Sequence, residues 1–335
     1  MAGVIVKGIA HFAVGVAFAA SFPWAVREGA SGNPLYFLLG GFAGLIPDTL
    51  DFKFWRFLYR QDVLVVPDPH DPDPGPIARA LAQAVTMASN GRPIRIKLES
   101  MRLGTDRWRR YTVRFDPDAR TVTVLIGPVV DTGRCLIERG KDMGRAATAP
   151  IPVPLRLDYF ATFDVDAFEG PHVRMVPEPG GSVMVEFIPW HRSWSHGLAV
   201  AGVLGVLGTL VWDWRAGLVM AGAQMLHAIL DQAGYLGNNA WFPLTRHRKP
   251  GGKYLHSGDS VANATVVWYA GLWIWYNLWL GSDVGGEPLR VIQTLLLAAL
   301  LPLLAIAWRG WRNRGPVNFI RAYLKRVKEE PHEPA

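Results

Sequence analysis

The apolar residues of this chain are gathered into six blocks free of aspartate, glutamate, lysine and arginine, at about 8–26, 34–47, 197–212, 216–230, 261–281 and 291–308. A helix that crosses a bilayer needs about 20 apolar residues. The first, fifth and sixth blocks have that length, whereas the others are shorter and rich in glycine. Small residues let two backbones approach closely, a role that fits Gly40, Gly44, Gly202, Gly205 and Gly208. With 50% hydrophobic residues and 14 tryptophans, the blocks predict an all-α polytopic membrane bundle of about six transmembrane helices.

Between the second and third blocks the composition changes. The stretch PDPHDPDPGP reads as a linker, its His70, Asp71 and Asp73 as solvated spacer rather than a cation site. IARALAQAVTMASNG then reads as a helix, and PIRIKLES, RYTVRF, RTVTVLIG, LRLDYFATFDV and SVMVEFIP read as strands. The expected organisation is residues 1–61 as the first two membrane helices, 62–189 as an inserted cytoplasmic α+β domain, mostly antiparallel, 190–308 as the remaining four helices, and 309–335 as a basic tail. The N-terminal apolar run continues for about the length of a span without a small-x-small cleavage site before Arg27, so it is expected to be a retained helix. Six spans would put most lysines and arginines on one side, which the positive-inside rule makes cytoplasmic. That predicts a multi-pass protein of a bacterial or archaeal cytoplasmic (inner) membrane with both termini inside. The net charge of +7 is then accounted for by anionic headgroups, and no nucleic acid is expected.

Ionisable residues inside apolar helices are costly and mark cavities or partners. Here they are His11 in the first block, Asp48 and Asp51 in GLIPDTLDF, His191 and His196 in WHRSWSHGL, and His227 and Asp231 in QMLHAILDQAG. Spacings of three and four residues put Asp48 with Asp51, and His227 with Asp231, on shared helix faces. With alternating helix directions all seven fall at one end of the bundle. Singly, each has a plain structural reading: a histidine bonded to a neighbouring carbonyl, a helix terminus, an interfacial belt beside Trp190 and Trp194. Together, imidazoles and carboxylates are a ligand set for zinc, manganese or iron. The single cysteine, Cys135, excludes an intramolecular disulfide and a cysteine-based zinc site. Seven donors suit two ions sharing a bridging carboxylate, hence an expected cofactor of two Zn2+, with Mn2+ or Fe2+ as substitutes. Arg192, Arg246, Arg248 and Lys253 are expected to hold substrate phosphate. His256 and Asp259 are expected as additional ligands or a base, with helix capping as the alternative for Asp259.

In order and spacing, His11-Phe-x-x-Gly15, Gly44-x-x-Pro47-Asp48-x-x-Asp51, His191-Arg192-x-x-x-His196 and His227-x-x-x-Asp231 resemble the YdjM-like family of predicted inner-membrane metal-dependent hydrolases. The likeness covers about 100 residues and leaves 62–189 as an insertion. That family is in turn distantly similar to zinc-dependent phospholipase C and P1-type nucleases, which implies hydrolysis of a phosphoester. A site at headgroup depth would favour a membrane lipid or lipid-linked substrate met at the bilayer surface. In this reading Asp48 or Asp51 bridges the ions or accepts a proton, and Arg192 stabilises charge on the phosphoryl oxygens. The alternatives are an amide or ester hydrolase built on the same metals, and a non-enzymatic metal-binding protein acting as transporter, sensor or scaffold.

Overall fold

The computed structural model describes residues 2–132, 135–166, 170–245, 247–254, 260–281 and 287–314. The described chain divides into two compact units, Arg56–His191 and a helical unit made of Ala2–Trp55 with the described residues from Arg192 to Arg314. Along the first part of the helical unit run α1 (Ala2–Ala20), α2 (Pro23–Ala30), α3 (Leu35–Ala43), the single turn α4 (Ile46–Thr49) and a π-helical segment, Leu50–Trp55. The inserted unit holds α5 (Arg56–Leu58), β1 (Val63–Val65), α6 (Pro74–Ser89), β2 (Ile94–Leu98), β3 (Met101–Gly104), β4 (Arg107–Asp116), β5 (Thr121–Val130), β6 (Leu136–Glu138), β7 (Ala146–Pro150), β8 (Leu155–Leu157), β9 (Thr162–Val165), β10 (His172–Pro177) and β11 (Val183–Phe187). The helical unit resumes with α7 (Leu198–Val211), α8 (Trp214–Gln232), α9 (Ser260–Gly281) and α10 (Pro288–Arg314).

The inserted unit is built on two sheets. One has the order β1-β2-β10-β11-β8; the other runs β3-β4-β5-β6, with β7 added to β5 and β9 to β4. Pairing is antiparallel except at β1–β2 and β8–β11. Alternation places Ile94, Ile96 and Leu98 of one sheet, and Tyr111, Val113, Phe115, Val122, Val124 and Ile126 of the other, in a common core with Ile77, Leu81 and Val85 of α6. Asp73 caps α6 by accepting from Gly75 N at 2.9 Å, so the linker's last acidic residue is a helix signal. Leu81 is completely buried, and Leu81→Ala is expected to cost about 2–5 kcal/mol in urea unfolding.

His172 lies buried on β10, where Trp190 Nε1–H donates to its Nδ1 at 3.1 Å. That bond needs an unprotonated Nδ1. Burial first, and Lys97 second, push the His172 pKa down to about 4. The unfolded imidazole titrates near 6.5, so this contribution to stability is complete above pH 6.5 and is lost as pH falls towards 4. His172→Asn, which retains an acceptor for the indole, is expected to flatten that acid-side decline in urea unfolding compared at pH 7 and 4.5.

In the helical unit α1 packs on α3, α8 and α9, and α7 pairs with α8. A Cβ at Gly15 would stand 2.1 Å from Gly40 O, and one at Gly40 2.4 Å from Gly15 O, so α1 and α3 touch backbone to backbone. Gly202, expected in such a contact, has open space beside it. Tyr36 Oη–H donates to Asp213 Oδ2 at 2.7 Å, while Asp213 Oδ1 accepts from Ala216 N at 2.8 Å and so caps α8.

These elements overturn the all-α polytopic membrane bundle. The chain mixes helices with two sheets, and no single described helix is long and apolar enough to cross a membrane. The first apolar block breaks at Ser21–Phe22, where Pro23 opens a new helix and the axis turns by 98°; the second bends by 49° after Ala43. Only as such bent pairs do these two segments reach the length and composition of a span. The third is a helix of 14 residues, and the fourth lies within α8, which carries Arg215, Gln224, His227 and Asp231. Asn263 and Asn277 lie within the apolar run of α9, and Pro302 lies inside α10. The multi-pass placement in a cytoplasmic membrane fails with the spans, as does the headgroup-depth argument for a lipid-linked substrate. Leu207, Leu210 and Val211 of α7 and Leu296 and Leu297 of α10 remain exposed.

Candidate metal centre

Four pieces of the helical unit converge on one buried cluster. From α8 come Gln224, His227 and Asp231, at spacings of three and four that align them on one face. All three are buried. From α4 comes Asp48, and from the following π-helical turn Asp51; such turns recur where a helix aims side chains at a site. The loop before α7 contributes Arg192, Ser195 and His196. Arg192 has φ of 59°, a left-handed conformation that costs a non-glycine residue about 1–2 kcal/mol. It is held there by Asn239 N, which donates to Arg192 O at 3.0 Å, and by its own N–H, which donates to Asp51 Oδ2 at 2.8 Å. Gln224 Nε2 ties the loop to α8, donating to Ser195 O at 3.1 Å and Gly197 O at 3.4 Å.

The hydrogen-bond partners fix both imidazole tautomers. His227 Nδ1 lies 2.6 Å from Gly44 O, a carbonyl that can only accept, so Nδ1 carries the proton and Nε2 the lone pair. Ser195 Oγ–H is used on Asp51 Oδ1 at 2.6 Å. His196 Nδ1 therefore donates to Ser195 Oγ at 2.9 Å, leaving its Nε2 as the acceptor. The two Nε2 atoms face each other at 3.1 Å, and Asp231 Oδ2 stands 3.1 Å from one and 3.3 Å from the other. With both imidazoles neutral, that buried oxygen has no hydrogen-bond donor. Three converging lone pairs repel unless positive charge sits among them. Asp48 Oδ1 completes the group, 3.6 Å from His196 Nε2 and 3.8 Å from His227 Nε2.

These four atoms all lie within 4.8 Å of one another. Ligands placed 2.0–2.2 Å from a tetrahedral ion are about 3.3–3.6 Å apart, close to the observed edges. The donors fit a divalent ion in a second respect as well: each imidazole is oriented from behind, His227 by a carbonyl and His196 by a hydroxyl and carboxylate, as metal-binding histidines are. His196, His227 and Asp231 are almost wholly buried, whereas the Asp48 side chain is 27% exposed. Asp48 therefore marks the side on which solvent reaches the cluster.

Charge at the site follows the same geometry. Burial opposes ionisation of Asp231, but Arg192 and His227 outweigh it and hold its pKa well below the usual carboxylate range. For His196, burial favours the neutral form, yet Asp231, Asp48 and Asp51 raise its pKa to about 9. A proton on His196 thus supplies the missing positive charge when no metal is bound. His11 is pushed down to about 4, by burial first and then by His227. Its ring stacks on that of His227 with centroids 3.8 Å apart.

Of the seven ligands expected from sequence, Asp48, His196, His227 and Asp231 form the cluster. His11 lies beside it, with Nε2 3.6 Å from Asp231 Oδ1. Asp51 lies on the opposite side of the His196 ring, its Oδ2 3.5 Å from Nδ1. His191 is buried and is the last residue of the inserted unit. The Arg192 guanidinium is engaged with Asp231, NH2 to Oδ1 at 2.7 Å and NH1 to the main-chain O at 3.3 Å. In the loop after α8, Arg248 is half-buried and Lys253 exposed; Arg246, His256 and Asp259 lie outside the described residues. Gln224 and the Gly44 carbonyl were not anticipated as parts of the site. A glutamine three residues before His227 in an apolar run is a signal that could have found the first; the second is backbone and leaves none. Cys135 is exposed on the inserted unit and offers the cluster no thiolate.

No family model, curated protein or solved structure matches this chain.

Proposed function

We propose that the chain is a metal-dependent hydrolase, with a divalent ion, zinc as first choice, held by His196, His227, Asp231 and Asp48, and a phosphoester as substrate. The observation that carries this reading is the convergence of three acceptor atoms at 3.1–3.3 Å beside one solvent-facing carboxylate. Nitrogen and oxygen donors in a small tetrahedral set suit zinc, with manganese and iron as competitors. An ion there supplies Lewis acidity, polarising a phosphoryl oxygen and lowering the pKa of water towards about 7. Asp48, the solvent-facing member of the set, is the ligand that would yield its position to a water and accept that water's proton, since a catalytic ion needs an open position, and Asp51 with Ser195 keeps His196 in the ligating tautomer. The resemblance to the YdjM-like hydrolases supports phosphorus rather than carbonyl carbon as the centre attacked.

Purified full-length protein is to be assayed for bound metal and for turnover of phosphomonoesters, phosphodiesters, a detergent-dispersed phospholipid and carboxylic esters, with His227→Ala as control. The expected result is bound divalent metal, phosphoester hydrolysis lost on chelation and restored by zinc, and loss of both in the variant. Metal-free protein, or equal turnover in wild type and variant, would sink the proposal. Ester cleavage alone would move the reaction to carbonyl chemistry, and tight metal without turnover would leave a binding protein.

A further inference from the structure

Resting on that reading, we infer that the centre is mononuclear, because Arg192 occupies the place of a second cation. In a two-ion site one carboxylate bridges the metals through its two oxygens. Asp231 has the matching arrangement with one exchange: Oδ2 points to His196 and His227, at 3.1 and 3.3 Å, while Oδ1 is taken by Arg192 NH2 at 2.7 Å. A second ion bridged through Asp231 would need Oδ1 together with His11, whose Nε2 lies 3.6 Å from it.

The arginine is built in. Its side chain is 6% exposed, NH1 also donates to Asp231 O at 3.3 Å, and its own backbone N–H donates to Asp51 Oδ2 at 2.8 Å. One residue thus joins the carboxylate that faces the ligand cluster to the carboxylate that orients His196. Arg192 is a positioning residue here: it fixes which oxygen of Asp231 faces the metal and excludes cations from the other. Cluster charge agrees, since two ligating carboxylates balance a single divalent ion, and Arg192 balances Asp51.

The test is a titration of the metal-free full-length protein with Mn2+, reading stoichiometry by calorimetry and coupling between ions by electron paramagnetic resonance. Wild type is expected to saturate at one equivalent per chain with the spectrum of an isolated ion. Two equivalents with an exchange-coupled spectrum would overturn the inference while leaving the metal-dependent reading intact; no uptake would overturn both. Arg192→Met, which opens Asp231 Oδ1 to His11, is expected to take up a second, weaker equivalent, and Arg192→Lys, which keeps the charge, to return to one. If Arg192→Met does not fold, wild-type stoichiometry and Arg192→Lys decide, a second equivalent in either overturning the inference; one equivalent in a folded Arg192→Met would also overturn it.

Discussion

Asp231→Ala is expected to weaken metal binding by about 10²–10³-fold and also to destabilise the metal-free protein by about 3–5 kcal/mol, the usual cost of leaving one half of a buried ion pair without the other. The two losses have different origins. Oδ2 is the atom shared with His196 and His227, so its removal takes away a ligand; Oδ1 compensates the Arg192 guanidinium, and both side chains are almost wholly buried. A structural zinc bound by four protein ligands is worth about 10–16 kcal/mol, so one ligand accounts for roughly 2.5–4 kcal/mol, or about 10²–10³-fold in affinity. The double variant Asp231→Ala with Arg192→Met removes the stranded charge and is expected to regain most of the lost stability without regaining metal affinity. Urea unfolding in chelator, paired with zinc calorimetry, separates the effects. Equal destabilisation in the single and double variants would show that the ion pair contributes nothing. By contrast Ser195→Ala, which touches the metal only through His196, is expected to lower affinity by about 10–100-fold.

The helical unit's site was legible in sequence because its chemistry depends on residues that have no cheap reason to lie in apolar runs. His227-x-x-x-Asp231 on one helix face, with His196 and Asp48 from other segments, needed only helix periodicity to be seen as a set. What periodicity could not show was division of labour. Asp48 and Asp51 look equivalent at a spacing of three, yet the π-helical turn sends one to the Nε2 side of His196 and the other to its Nδ1 side. Nor does a sequence reveal that Arg192, expected to hold phosphate, has a left-handed backbone and a guanidinium engaged with Asp231.

Membrane spans were misread for a related reason: composition counts apolar residues but does not locate bends. The first block is apolar throughout, and Pro23 still starts a separate helix at 98° to α1. In the inserted unit, by contrast, strict alternation made β2, β4, β5 and β11 visible, while β10 escaped because Val176 directly after Met175 breaks the alternation in HVRMVP beside a glycine-proline turn. The short edge strands β1, β3 and β6 carry too few residues for a period to register.

Metal affinity is expected to rise about tenfold per pH unit from pH 6.5 and to level off near pH 9, a gain on the order of a hundredfold or more over that window. An ordinary histidine, titrating near 6.5, would already have levelled off by pH 7.5. The difference comes from Asp231, Asp48 and Asp51, which overcome the effect of burial and raise the metal-free pKa of His196 to about 9. The proton stands in for the ion and must leave before Nε2 can ligate. The same shift has the opposite sign for the metal-free fold: stabilisation by protonated His196 is complete below pH 6.5 and is lost as pH rises through 9. Metal-free protein should therefore weaken across the window in which the loaded protein strengthens. Zinc competition against a chromophoric chelator between pH 6 and 9.5, together with release of close to one proton per ion in weakly buffered solution at pH 7.5, tests the assignment. An affinity that is flat above pH 7 would mean that His196 is already neutral and that another charge balances the carboxylates around it.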